Sequence, residues 1–118
     1  MPIDLSSASI INHPFPHFAI NNAVSLRQFL TWLERDAPWK LIETDFYEQY
    51  EFSLLQPDLP VLTDSFAGPN VVQYLIQCVS SIFNTSLQKR VEITVHKLVQ
   101  NQTIRIHNDY IPGEETHR

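Results

Sequence analysis

The spacing of apolar residues changes near Lys89 in this 118-residue chain, and that change limits what it can fold into. Before it, two stretches have a helical period. Leu26, Phe29, Leu30 and Leu33 recur at three- and four-residue steps, and Pro38 stops the run. Ser25, with Gln28 three residues on, predicts a capping box at its start. Gly68-Pro69-Asn70 opens a second helix, with Asn70 as the expected cap and Val71, Leu75, Cys78, Val79, Ile82 and Phe83 on its apolar face. After Lys89 the period becomes two. Val91, Ile93 and Val95 alternate with Glu92, Thr94 and His96, as in a half-buried strand. Asn101-Gln102 predicts a turn. Thr103 to Asp109 then predicts a second strand, with Ile104 and Ile106 on one face and Arg105, His107 and Asp109 on the other. Pro112-Gly113 suits a further turn. Two strands alone are marginal, so a sheet that begins here needs more strands than the sequence lays out.

The expected class is therefore α+β, as one domain over residues 1–118. Residues 1–13 are a polar lead-in, 14–89 a helical support region, and 90–118 the first core strands. Pro14 to Ile20 reads as a short extended piece with prolines at a sheet edge. Trp39 to Leu55, rich in aromatic residues, divides between strand and loop. Trp32, Trp39, Tyr47, Tyr50 and Phe52 read first as packing residues and second as an aromatic wall.

Composition excludes several classes. Hydrophobic residues at 43% and charged residues at 18% fit a globular chain. Formal net charge is −5, and lysines and arginines form no stripe, which argues against nucleic acid as a partner. Apolar stretches fall short of the ~20 residues of a membrane span. Met1-Pro2-Ile3-Asp4 lacks the basic start of a secretion signal. One cysteine, Cys78, forms no internal disulfide and reads as a small core residue; a cytoplasmic location follows as the expectation. The sequons at Asn84 and Asn101 carry little weight there. Gly68 and Gly113 lie too far apart for a phosphate-cradling loop.

The chemistry-bearing motif is His107-Asn108-Asp109. A histidine and an aspartate two apart in an extended segment point to the same side of the backbone. An imidazole and a carboxylate so placed make two thirds of the facial triad that holds non-haem Fe(II) and leaves positions open for cosubstrate and oxygen. The bland alternative is a polar strand end. His117, across the Pro-Gly turn, is a weak candidate for third ligand. Arg105, on the face of His107 and Asp109, reads first as a structural salt-bridge residue, with a carboxylate on Glu92 or on substrate as its partner. His96 reads as a sheet histidine. His13 and His17 flank Pro14-Phe15-Pro16 with no evident partner. No Ser-His-Asp arrangement has a nucleophile context.

The run Leu98 to Tyr110, ending in H-x-D, resembles the approach to the metal site in the prolyl-4-hydroxylase-like branch of the Fe(II)/2-oxoglutarate dioxygenases. Phe15 to Ile20 resembles the opening strand of that branch, Ser25 to Asp36 the helix that follows, and Asn70 to Phe83 the long helix that backs the sheet. Glu114 to Arg118 looks like the run into the next core strand. The resemblance spans roughly residues 14–118, and only H-x-D is specific. It implies N-terminal helices packed on the start of a double-stranded β-helix, jelly-roll or cupin-like, incomplete in this chain. It implies His107 and Asp109 as metal ligands, Fe(II) as cofactor, 2-oxoglutarate as cosubstrate and ascorbate as an accessory. The activity implied is hydroxylation of a peptide or an amino-acid-derived small molecule, with succinate released. Ile104 stands where a tyrosine often contacts the cosubstrate, Asn101 where a glycine is usual, and Tyr110 is placed by adjacency as a pocket wall. The family's distal histidine and cosubstrate-binding base have no counterpart here, so the 118 residues alone are expected to be inactive. Two further readings stand beside this one. In the first, a non-catalytic module pairs through its open sheet edge with a second copy or with a complementing C-terminal chain. In the second, a small α+β binding module carries H-x-D incidentally.

Overall fold

A computed structural model describes residues 3–105. In order they form α1 (Arg27–Arg35), β1 (Lys40–Glu43), β2 (Glu48–Ser53), a 3-10 turn (Val61–Thr63), α2 (Asp64–Ala67), α3 (Pro69–Ile82) and β3 (Thr94–Lys97). The class is α+β, with one open antiparallel sheet in the order β1-β2-β3. The chain divides into two compact units. One holds Met1–Ala37 with Ser53–Thr94, the other Pro38–Phe52 with Val95–Arg118.

In the first unit, α1 starts one residue later than Ser25 predicts. Leu26 takes the N-cap position with helical dihedrals, and no side chain caps the helix. Ser25 thereby falls one position outside the cap, where its hydroxyl does not meet the orphan amides. The far end matches the expectation. The N–H groups of Asp36 and Ala37 both donate to the Trp32 carbonyl, at 2.8 and 3.1 Å, and Pro38 has no N–H to extend the helix.

The cap of α3 is also displaced. Gly68 is the N-cap and Pro69 the first helical residue, so Asn70 lies inside the first turn. Proline suits that position because its missing N–H would have had no intrahelical partner. Gly68 also closes α2, donating its N–H to the Asp64 carbonyl at 2.9 Å. At its other end α3 stops in a Schellman arrangement. The Thr85 N–H reaches the Ser80 carbonyl at 3.0 Å and the Asn84 N–H reaches that of Ser81 at 3.2 Å. Asn84 supplies the left-handed residue, with φ 48°, where glycine is commonest.

The core of this unit gathers around α1. Phe29 and Trp32 are buried, and Phe29 stacks on Phe66 of α2 with ring centroids 4.4 Å apart. Leu54 and Val71 complete the buried apolar set. Thr63 is buried as well, its hydroxyl satisfied by the Pro60 carbonyl at 2.8 Å. The N-terminal segment is tied on by polar contacts. Leu5 N–H donates to the Tyr74 hydroxyl of α3 at 3.0 Å, and Asp4 N–H to the Ala23 carbonyl at 2.8 Å. Hydrogen bonds from the Ser6 side chain and N–H hold the exposed Asp4 carboxyl below its ordinary pKa. That contribution is present above the unfolded-state pKa and is lost as pH falls through the depressed one. Pro14 to Ile20 forms no strand; His17 makes an isolated bridge to Ile11.

In the second unit, β1 and β2 form a hairpin in which Lys40 faces Glu51 and Glu43 faces Glu48. The ambiguous aromatic stretch thus resolves into two strands and a turn. Thr44 makes the turn possible without a positive-φ residue at Asp45 or Phe46. Its N–H donates to the Tyr47 carbonyl at 2.9 Å, and its hydroxyl accepts the N–H groups of Phe46 and Tyr47 at 3.1 and 3.2 Å.

β3 takes the other edge of β2. The alternation of Val91 to His96 does follow burial, half-buried at odd positions and exposed at even ones, but the strand itself runs Thr94–Lys97. The expected hairpin between this strand and residues 103–109 does not form among the described residues. The chain instead makes a short loop after Lys97, with Asn101 at φ 72° and the Gln102 N–H on the Val99 carbonyl at 3.1 Å. It then resumes pairing with the lead into β2. Glu48 N–H donates to the Thr103 carbonyl at 3.0 Å, Arg105 N–H donates to the Phe46 carbonyl, and Tyr47 and Ile104 form an antiparallel bridge. The turn at Asn101 is real, but it returns the chain to the same partner rather than folding it on itself.

A Cβ on Gly68 would sit 2.6 Å from the Asp64 carbonyl oxygen, a backbone atom that cannot swing away. Gly68→Ala is therefore expected to destabilise the first unit by about 1–3 kcal/mol, the usual cost of overpacking. A lower urea midpoint at unchanged m-value is the measurement that checks it.

Candidate functional site

The segment that leads toward H-x-D opens on a concavity in the second unit. It has a volume of about 350 Å3 and is lined by Glu43, Thr44, Asp45, Phe46, Tyr47, Glu48, Thr103 and Arg105. The hairpin turn forms one wall, and residues 103–105 the other. Its rim is acidic. Glu43 and Glu48 face each other directly across β1 and β2, a like-charge pairing that costs a sheet stability. Arg105 brings a cation to that rim. In the first unit the Glu92 carboxylate takes Arg90 at 3.1 Å on the surface. Ile104 pairs with Tyr47 and is 52% exposed.

His107 and Asp109, the two expected metal ligands, lie outside the described residues, as do Tyr110 and His117. Among the described residues, no group of three or more His, Cys, Asp and Glu side chains could hold a metal ion. The donor types themselves, one imidazole and one carboxylate, suit Fe(II).

A second polar constellation sits on the sheet, and the sequence reading passed over most of it. Gln49 of β2 is buried, at 3% exposure. Its amide nitrogen lies 2.6 Å from His96 Nδ1 on β3 and 3.0 Å from Glu51 Oε2. That atom must be the amino end, because a flipped amide would set an oxygen against the carboxylate. Gln49 therefore donates to both partners. His96 Nδ1 faces that amide, and its Nε2 lies 3.9 Å from Glu51 Oε2. His96 joins β2 to β3. Gln49 escaped notice because a polar residue among aromatic neighbours gives no periodic signal. The two-residue spacing of Gln49 and Glu51 was the available clue, since it puts both on one strand face.

The remaining candidates take structural places. Trp32 belongs to the α1 core with Phe29, and Trp39 meets Phe52 edge-on at 4.9 Å. His17 Nδ1 pairs with the Phe15 carbonyl at 2.7 Å, and its ring lies 5.3 Å from that of Phe15. Cys78 is a half-buried free thiol on α3. Comparison with protein-family models, curated proteins and solved structures finds no match to this chain.

Replacing Gln49 by leucine keeps the volume and removes both hydrogen bonds. The expected loss is about 1 kcal/mol, and more if Glu51 is left without a partner. Nitrogen-15 spectra of the His96 ring should show the Nδ1 signal shifted in Gln49→Leu, which loses the amide 2.6 Å from that nitrogen.

Proposed function

We propose that His107 and Asp109 are two of the three protein ligands of Fe(II) in a 2-oxoglutarate-dependent oxygenase. In this reading the described helices and sheet belong to a double-stranded β-helix whose further strands, distal histidine and cosubstrate-binding base come from sequence other than these 118 residues. The bound iron, with 2-oxoglutarate and oxygen, would supply oxidation of an unactivated C–H bond in a peptide or amino-acid-derived substrate. The observation that carries the reading is the H-x-D motif at the end of Leu98 to Tyr110. What supports it in the fold is the order of elements before the motif: strand β3, a turn at Asn101, and an extended segment from Thr103 paired with the lead into β2. Asparagine takes the left-handed turn dihedral there, the role a glycine has in the family that this run resembles. The protein's own part would be to hold the imidazole and carboxylate on one side of an extended strand and leave the opposite positions of the metal open.

A second reading is favoured by the sheet itself. Among the described residues β1 and β3 are both edge strands, and such edges pair readily with another chain. Self-association or capture of a C-terminal partner would then need no iron. Concentration-dependent elution in size exclusion, unchanged by His107→Ala, is its expected mark.

The test of the first reading uses the complete protein, loaded with Fe(II) and supplied with 2-oxoglutarate and candidate peptides. Succinate release is expected, and His107→Ala or Asp109→Ala should abolish it while leaving the far-UV spectrum intact. Turnover that survives His107→Ala would sink the assignment. Co(II) absorption, read in parallel, reports ligand loss independently of any substrate.

A further inference from the structure

On the sheet face opposite Gln49 and His96, the second unit holds a cation between two aromatic rings. Lys97 Nζ lies 4.5 Å from the ring centroid of Trp39 and 5.0 Å from that of Tyr50. Both distances are within the range at which a ring's negative face attracts a positive charge. The placement follows from strand parity. Tyr50 and Phe52 alternate with Gln49 and Glu51 along β2, and Lys97 alternates with His96 on β3. Trp39, just before β1, is set by Phe52, which meets it edge-on with planes at 80°. Tyr50 is backed by Leu41 across the hairpin. Both rings are half-buried, whereas Lys97 is exposed and makes no ion pair among the described residues. The rings are therefore positioned by the sheet, and the ammonium is held by the rings.

We propose that Trp39 and Tyr50 form a binding site for alkylated ammonium groups, which Lys97 occupies when no ligand is present. A primary ammonium is strongly hydrated and gives up water reluctantly to sit against a ring. A quaternary ammonium is weakly hydrated, spreads its charge over methyl groups, and is the cation that aromatic pairs take best. Such a ligand displaces Lys97 without breaking a salt bridge, and the lysine swings into water at little cost. The formal net charge of −5 adds a long-range attraction for cations. The ligand class is a methylated amine, either as a free small cation or as an N-trimethylated lysine side chain on another polypeptide. This inference does not depend on the iron reading.

The experiment is a titration of the full chain with tetramethylammonium chloride, followed by the indole N–H signal of Trp39 and matched against sodium chloride. The signal is assigned as the one absent from Trp39→Leu. Lys97→Gln removes the resident cation and keeps the chain length. It is expected to bind about two- to fivefold more tightly than the parent, the factor an exposed cation–π contact represents. Tyr50→Leu in the Lys97→Gln background should reduce the response to that of sodium chloride. Far-UV spectra confirm that each variant is folded, and Tyr50→Leu carries the test alone if Trp39→Leu is not. A peptide bearing one N-trimethyllysine is titrated alongside. Tighter binding than the free ion identifies a polypeptide ligand, and equal binding a small cation. Lys97→Gln binding no more tightly than the parent, or Tyr50→Leu binding undiminished, would overturn the proposal.

Discussion

Among the described residues strand β2 is the one strand of the sheet with both edges engaged, and the described part of the second unit is organised around it. An antiparallel strand satisfies its own amides only by pairing, and a two-stranded ribbon is marginal in water. β1 covers one edge. The other is shared in succession by β3 and by residues 103–105, which join it on either side of the Asn101 loop. Each functional candidate in this unit refers back to β2. Gln49 and Glu51 fix His96 from one face, Tyr50 and Phe52 arrange Lys97 and Trp39 on the other, and Tyr47 and Glu48 floor the acidic concavity.

The two faces handle charge differently. Around Gln49, the partners are hydrogen-bonded and partly buried, and His96 ties β3 to β2. Around Trp39, a full charge is held by rings alone, and water remains beside it. A contact of the second kind exchanges readily, because no buried group is left unsatisfied when it opens. The hairpin end differs again. Glu43, Asp45 and Glu48 crowd one rim, and the sheet tolerates the repulsion because all three side chains are exposed, where water and salt screen it.

Much of the first unit was legible in the sequence. The helical spacing from Leu26 and from Val71 marked α1 and α3, and Pro38 marked a stop. Both start positions were misplaced, for a shared reason. Ser25 and Asn70 are good caps chemically, but Leu26 and Gly68 took the cap positions, the latter because Gly68 also had to close α2. In the second unit the alternation of Val91 to His96 named a strand face correctly yet could not name its partner. Periodicity reports which side of a strand is covered and says nothing of what lies beside it. β2 stayed hidden because Gln49, buried as deeply as Phe52, is polar, and a pattern read from apolar residues counts it as exposed. The concavity was illegible for a related reason, being assembled from a turn and a segment some sixty residues apart. His107 and Asp109 were singled out by residue type, two-residue spacing and resemblance, and their positions fall outside the described residues.

The Asn101 loop has a consequence for how such a chain can vary. Because pairing with β2 breaks at Lys97 and resumes at Thr103, the two segments keep separate registers. A residue gained or lost between them changes the loop and leaves both ladders intact. The sheet therefore works as a rail with a removable joint. Side chains ahead of the joint keep their facing partners whatever its length, and the segment after it can be re-aimed without disturbing Lys97 or His96.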